Sequence, residues 1–404
     1  MATQTALPPL LVPSPTESSP ASADRPVSRR AARPVSAYGL TLTELEAKMT
    51  ELDEPPFRGR QIARWLYDSA RLATSYDQMT DLPAALRTKL AATLPVQTLT
   101  LVRELQTDNG DTIKSLYCAQ DGQLLETVLM LYRDRATVCV SCQVGCAVGC
   151  AFCATGIGGL MRNLTAGEMV EQTVNAARQA RELGRPLTNL VMMGMGEPLQ
   201  NYAETMKFVG ILNDPKGFNF GARRITISTS GIVSRIDALA EEPYQVNLAV
   251  SIHAPNDELR SSLVPINRRW PVADLIAAVD RYTAKTGRRV SFEYALMGGI
   301  NDDDATAQQL ARLLQGRLCH VNLIPYNPVE LLDFTRPSPE RIERFATILR
   351  DAGVPTTVRY SRGVDIAAAC GQLRAEEEGL TPRVIRPARR RAAVAGAPAP
   401  VGRA

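Results

Sequence analysis

Cys146-Ala-Val-Gly-Cys150-Ala-Phe-Cys153 directly follows a β-rich stretch that ends near Ser141, and the fold can be read outward from this triplet. Thiolates are soft ligands suited to iron–sulfur clusters or zinc, so the spacing C-x3-C-x2-C argues for a metal site. Three protein ligands on a four-iron cubane leave one iron open to an exogenous ligand, as a catalytic metal requires. The competing reading is a structural zinc knuckle that takes Cys139 or His320 as its fourth ligand. Zinc sites, however, usually pair two C-x2-C units.

From 136 to 370 the chain alternates strand and helix. Strands are expected over 136–141, 189–194, 224–229, 246–253, 290–297 and 321–326, with another near 356–360. Thr165-Ala-Gly-Glu168 reads as a capping box, and Ser338-Pro339 opens a further helix with Pro at its first position. Such alternation implies a parallel sheet with right-handed crossovers, and about six units make a partial β/α barrel. Sites on such folds collect at the C-terminal ends of the strands. Those ends are polar or glycine-rich here: Gly194-Met-Gly196-Glu197-Pro, Ser228-Thr-Ser-Gly231, Ser251-Ile252-His253-Ala-Pro and Ile324-Pro-Tyr-Asn327-Pro. Each alone reads as a turn. Together they offer hydrogen-bonding groups for a ligand with an ammonium, a carboxylate, ribose hydroxyls and an adenine.

Residues 41–95 look helical, with Leu42, Leu45, Met49 and Leu52 on one stripe and a second helix beginning near Arg60. The run Phe57-Arg-Gly-Arg60-Gln-Ile-Ala-Arg64-Trp65-Leu-Tyr67 interleaves Arg with aromatics. It reads either as an RNA-contacting face or as core aromatics beside solvated arginines. Residues 96–135 alternate as a small β linker region leading into the main domain at 136–373. Residues 1–40 and 374–404 are rich in Pro, Ala, Ser or Arg and are expected to be disordered tails. Residues 1–40 carry a net +2 and 381–404 a net +6 within a chain of +4, so 41–380 sums to −4. Any nucleic-acid surface is then a local patch or the tails, where Arg389-Arg390-Arg391 is either an RNA contact or a solvated terminus. No apolar run is long enough to span a bilayer, the start lacks the pattern of a secretory signal, and clustered thiols suit a reducing compartment, so a cytoplasmic address is expected.

Cys139-Val-Ser-Cys142-Gln-Val-Gly-Cys146, Cys150-Ala-Phe-Cys153-Ala-Thr-Gly, Arg162-Asn-Leu-Thr165, Met193-Gly-Met-Gly-Glu197-Pro, Ser251-Ile-His-Ala-Pro-Asn256-Asp and Arg362-Gly-Val-Asp-Ile-Ala-Ala-Ala-Cys370-Gly-Gln-Leu373 occur in this order. The set resembles the RlmN and Cfr family of radical S-adenosylmethionine (SAM) RNA methyltransferases over roughly residues 42–373. The resemblance implies an α/β fold: a radical SAM partial (β/α)6 barrel with a small N-terminal helical RNA-binding accessory domain. It also implies a [4Fe-4S] cluster on Cys146, Cys150 and Cys153. SAM contacts would come from Gly196, Glu197, Ser228, Ser251, Ile252, His253 and Asn327.

Adenine C2 and C8 carry no acidic proton and resist simple methyl displacement, and the family answers with a radical route. By resemblance, Cys370 takes a methyl from one SAM, and a second SAM is cleaved at the cluster to a radical that activates this methyl. The carbon then adds to adenine, Glu126 takes the adduct's proton, and Cys139 releases the product by forming a disulfide with Cys370. Cys118 and Cys319 match no role and are expected to be core thiols. Cys142 departs from the family's usual Ser and could compete for iron or for disulfide pairing. The implied substrates are 23S rRNA and tRNA, methylated at C2, with C8 methylation of rRNA alone as the alternative. A flavodoxin-like reductant and a monomeric enzyme are expected. A reading from another class, a non-catalytic zinc-stabilised RNA-binding protein, predicts RNA affinity that survives Cys370→Ala.

Overall fold

A computed structural model describes residues 35–107, 109–329, 332–360 and 371–379, all in one compact unit. The strands are β1 (Leu99–Gln106), β2 (Thr112–Ala119), β3 (Leu124–Leu131), β4 (Ala136–Cys139), β5 (Gln143–Gly145), β6 (Leu160–Asn163), β7 (Leu187–Met192), β8 (Ile225–Thr229), β9 (Asn247–Ser251), β10 (Val290–Leu296), β11 (Cys319–Pro325) and β12 (Thr356–Val358). Ten of them form one sheet in the order β1-β2-β3-β4-β7-β8-β9-β10-β11-β12. Pairing is parallel from β4 through β12 and antiparallel from β1 to β4. The residues expected to form a small β linker leading into the main domain therefore continue the barrel sheet. β3 runs back along β4 in antiparallel register, Val128 facing Cys139, so the start of β3 lies at the same end of the sheet as the end of β4.

Helices α4 (Ala166–Glu182), α5 (Tyr202–Asn213), α6 (Val233–Leu239), α7 (Asp257–Leu263), α8 (Val272–Thr286), α9 (Asp304–Leu314) and α10 (Pro339–Asp351) fill the crossovers, while α1 (Leu42–Glu51), α2 (Phe57–Tyr67) and α3 (Ala84–Thr93) precede the sheet in the chain and α11 (Gln372–Glu377) follows it. The capping box at Thr165 forms: its side chain accepts from Glu168 N while the Glu168 carboxylate accepts from Thr165 N. Buried apolar side chains of this region and of α1 (Leu42–Glu51), α2 (Phe57–Tyr67) and α3 (Ala84–Thr93) belong to one continuous core.

Two tail boundaries shift. Residues 37–39 form a 3-10 turn with Ala37 and Tyr38 fully buried, and the Tyr38 hydroxyl donates to Ala73 O at 2.6 Å. Gly39 and Gly167 bring the two backbones together, since a Cβ on either would meet the other's main chain at 3.0–3.2 Å. At the other end, α11 (Gln372–Glu377) extends past the expected start of the tail at 374, because Leu373, Arg374 and Ala375 are buried.

The Arg-aromatic run divides. Tyr67 is core, its hydroxyl donating to Leu40 O at 3.0 Å. Trp65 is half-buried, bonded to Asp81 and covered by Arg71. Phe57 stays exposed beside Arg58.

Candidate active site

The cysteine triplet sits in the loop between β5 and β6, which pair as a short antiparallel hairpin that alternation alone does not announce. Gly145 (φ 75°) and Gly159 (φ 69°) close the base of the loop, where Cys146 N donates to Gly159 O at 3.0 Å. Any Cβ on Gly145 would collide with the Gly159 carbonyl. The loop rests on a second, smaller apolar cluster that includes Val148, Ala151, Ala154, Leu263, Met297 and Tyr326. Ala151 N donates to Leu263 O at 2.9 Å, so the end of α7 holds the middle of the loop.

The three thiols are near enough to oppose one another's ionisation. Burial pushes Cys146 up to about 12, and Cys153 and Glu197 add to the effect. Burial also raises Cys150, which Cys153 and Cys146 reinforce and the Arg260 guanidinium counters. Bare thiolates are costly here, and a cationic iron core would remove that cost. Among the described residues no three His, Cys, Asp or Glu side chains converge on a single metal ion. Of the two fourth ligands considered for a zinc knuckle, His320 is engaged elsewhere. His320 lies at the N-terminal end of β11, away from the strand ends that face the loop, and pairs with Thr357 Oγ1 at 3.0 Å. A donor set of three thiols in one loop fits the cubane.

The strand ends surround this loop. Gly196 (φ 105°) lies against Gln143, where a Cβ would meet the Gln143 side chain at 2.5 Å and its backbone N at 2.8 Å. Glu197 is buried and fully used: Oε1 accepts from Leu199 N at 3.0 Å, and Oε2 from Ser230 N and Oγ, both at 2.7 Å. Burial raises its pKa, against these bonds. Its carboxylate thus ties the β7 turn to the end of β8. Ser228 and Ser251 are half-buried on β8 and β9, while Ile252 is core. His253 has φ 56°; Asn301 Nδ2 fixes this bend by donating to His253 O at 2.9 Å. The His253 Nδ1 accepts from Ala295 N at 2.9 Å, which leaves the proton on Nε2. Burial, helped by Arg260, holds the imidazole down to about 3 and hence neutral. Its ring packs edge-on against Phe152 of the cluster loop, centroids 4.7 Å apart. Asn327 Oδ1 is buried without a partner among the described residues, an acceptor left for a ligand with N–H or O–H groups.

Glu126 and Cys139 lie near the adjoining ends of β3 and β4, where Val128 stands opposite Cys139. Cys139 is buried at the last position of β4. Glu126 is 3% exposed and takes Gly371 N on Oε2 and Arg374 N on Oε1, each at 2.8 Å. Lys114 Nζ, fully buried, lies 3.1 Å from Oε2. Cys370 falls outside the described residues, but Gly371, next to it, abuts Thr155, two residues beyond Cys153. All seven described cysteines are free. Cys142 packs in the main core, its thiol pushed up by burial, with Glu197 and Cys146 adding to the effect, and donates to Met195 O at 3.6 Å. Cys319 is buried, whereas Cys118 is only half-buried, short of the core position expected for it.

Sequence reasoning missed Lys114, Arg260 and Gln172, three buried polar residues that organise the site. Arg260 donates to Ser230 O (2.5 Å), Ile252 O (3.0 Å), Ser251 O (3.2 Å) and Asn267 Oδ1 (2.8 Å). Gln172 accepts from Ser141 N and Thr127 Oγ1, both at 2.9 Å. Single polar residues within apolar periodicity were the only signal available.

A parallel β/α sheet with a three-thiol loop after its first parallel strand, ringed by polar strand ends, defines a radical SAM enzyme. The radical SAM superfamily model matches residues 140–311, and the model of the ribosomal RNA large subunit methyltransferase N-terminal domain matches 36–96. A protein of Chloroflexus aurantiacus named "Probable dual-specificity RNA methyltransferase RlmN" is 52% identical over 347 residues, covering 83% of this chain and 92% of its own. One of the same name from Bacillus licheniformis is 48% identical over 349 residues, covering 86% and 95%. The crystal structure of a radical SAM methyltransferase from Sphaerobacter thermophilus superposes with a TM-score of 0.82 at 65% identity, covering 84% of this chain and 99% of that one. The chain belongs to the RlmN family of radical SAM RNA methyltransferases.

Proposed function

We propose that this enzyme methylates C2 of adenine in 23S rRNA and tRNA through a methyl group carried on Cys370. The observation that carries the reading is the grip of Glu126 on the backbone N–H groups of Gly371 and Arg374, with Gly371 seated on Thr155 of the cluster loop. A carrier thiol beside that loop is what methyl transfer through a cysteine demands. The chemistry that a bound [4Fe-4S] cluster and SAM supply is reductive cleavage of a sulfonium, which gives access to an unactivated C–H centre.

Cys146, Cys150 and Cys153 hold the cluster. Gly196, Ser228, Ser251 and Asn327 contact SAM, the glycine by admitting it close to the backbone, and Glu197, Ile252 and His253 shape the same wall. Two SAM molecules serve each turnover, one donating the methyl to Cys370. Glu126 accepts the adduct proton and Cys139 resolves the product from Cys370. The helical module of residues 41–95 binds RNA, a flavodoxin-like protein reduces the cluster, and the enzyme acts as a cytoplasmic monomer. No described helix is long and apolar enough to cross a membrane.

The test is anaerobic reconstitution followed by mass spectrometry of digested RNA. Labile sulfide, 5′-deoxyadenosine, S-adenosylhomocysteine and 2-methyladenosine are expected; 8-methyladenosine alone would overturn the regiochemistry. Cys139→Ala should accumulate a covalent protein–RNA adduct, and free unmodified RNA beside methylated Cys370 would refute its resolving role.

A further inference from the structure

Glu126 is more than a base in waiting. We infer that Glu126 is the clasp that holds residues 371–374 in place, and that Lys114 is the positioning residue that balances its carboxylate. That Cys370, next in the chain, carries the methyl rests on the reading above, whereas the geometry of the clasp is independent of it.

Lys114 and Glu126 are diagonal neighbours on one face of the β2–β3 pair, where Lys114 faces Val128 and Glu126 faces Leu116. Both are buried, at 0% and 3% exposure. An ionised carboxylate at such a place needs a counter-charge and donors on its remaining lone pairs. Lys114 Nζ supplies the first, and Gly371 N and Arg374 N supply the second. The Arg374 side chain does not compete, because its guanidinium pairs with Glu378 at 2.8–3.0 Å. The two amides begin α11, and Gly371 has φ 79°, a left-handed conformation that directs the chain across the carboxylate.

Hydrogen–deuterium exchange with fragment-level resolution, on the full chain with cluster and without RNA, reads the clasp directly. In the wild type the Gly371 and Arg374 amides should be protected. Lys114→Met should speed their exchange at least tenfold while β10 and β11 keep wild-type protection. Glu126→Ala should abolish the protection, and Glu126→Gln should keep part of it through its one carbonyl. Lys114→Met combined with Glu126→Gln should exchange no faster than Glu126→Gln alone, because the double change leaves neither charge of this buried pair behind, and Lys114→Arg should retain most of the wild-type protection. Unchanged exchange at Gly371 and Arg374 in Lys114→Met would overturn the inference. So would loss of protection across β10 and β11 along with them, which would make Lys114 a general stabilising residue. Since no turnover is involved, 2-methyladenosine formation can stand or fall separately.

Discussion

Arg260→Met is the substitution whose consequence the structure defines most closely. The guanidinium is fully buried and bridges the ends of β8 and β9 through the carbonyls of Ser230, Ser251 and Ile252, with Asn267 Oδ1 as a fourth acceptor. Methionine fills similar volume but leaves these acceptors with fewer donors, at about 1–3 kcal/mol for each group truly orphaned. Ile252 O keeps the Ala254 N–H at 2.7 Å, so it suffers least. Against this, removing a buried cation recovers its desolvation cost, which already lowers the Arg260 pKa to about 10. A net loss of about 3 kcal/mol remains, since the acceptors left behind are neutral and carry no unpaired charge. Urea unfolding of the anaerobic protein should register this as a lower midpoint. SAM affinity measured by calorimetry should fall at least tenfold, a cost of about 1.4 kcal/mol, because Ser228 and Ser251 lose their fixed spacing. Arg260→Lys should recover only part of both, since an ammonium cannot span four acceptors. A midpoint equivalent to less than about 1 kcal/mol of destabilisation, with unchanged SAM affinity, would refute the reasoning.

Gly145→Ala should lower iron and sulfide per chain without unfolding the sheet, because its φ of 75° and the adjacent Gly159 carbonyl exclude a Cβ at the base of the cysteine loop; wild-type iron content would count against that. Asn327→Ala should raise the Kd for SAM while thermal stability stays within about 0.5 kcal/mol, since Oδ1 has no partner among the described residues to lose. Glu171 is raised to about 7, chiefly by burial and against hydrogen bonds from Thr98 and Leu99. The folded state thus binds this proton more tightly than the unfolded chain. Its contribution to stability is complete below about 4.5 and is lost as pH rises through about 7, a change of about 3 kcal/mol. Wild type should lose this much relative to Glu171→Gln between acid and mildly alkaline pH in urea titrations, and parallel profiles would exclude the effect.

Periodicity and punctuation were enough to find the seven parallel strands, because buried β segments between turn residues and capped amphipathic helices carry local signals. Thr165 and Ser338 cap their helices as the sequence reading expects. The triplet and the polar strand ends were equally legible, since metal spacing and turn chemistry are written in contiguous residues. Other features depended on residues far apart in the chain. Whether 96–135 forms its own sheet or joins the barrel is a question of strand pairing, and Val128 answers it only by lying beside Cys139. Tyr67 and Phe57 share one motif, yet one is core and the other exposed, because α2 turns a single face inward. Residue order alone determined the class of chemistry. Only tertiary structure decided that Glu126 grips the chain beside Cys370, that Lys114 balances it and that Arg260 joins two strand ends, because a buried charge is defined by neighbours that folding, and not sequence adjacency, supplies.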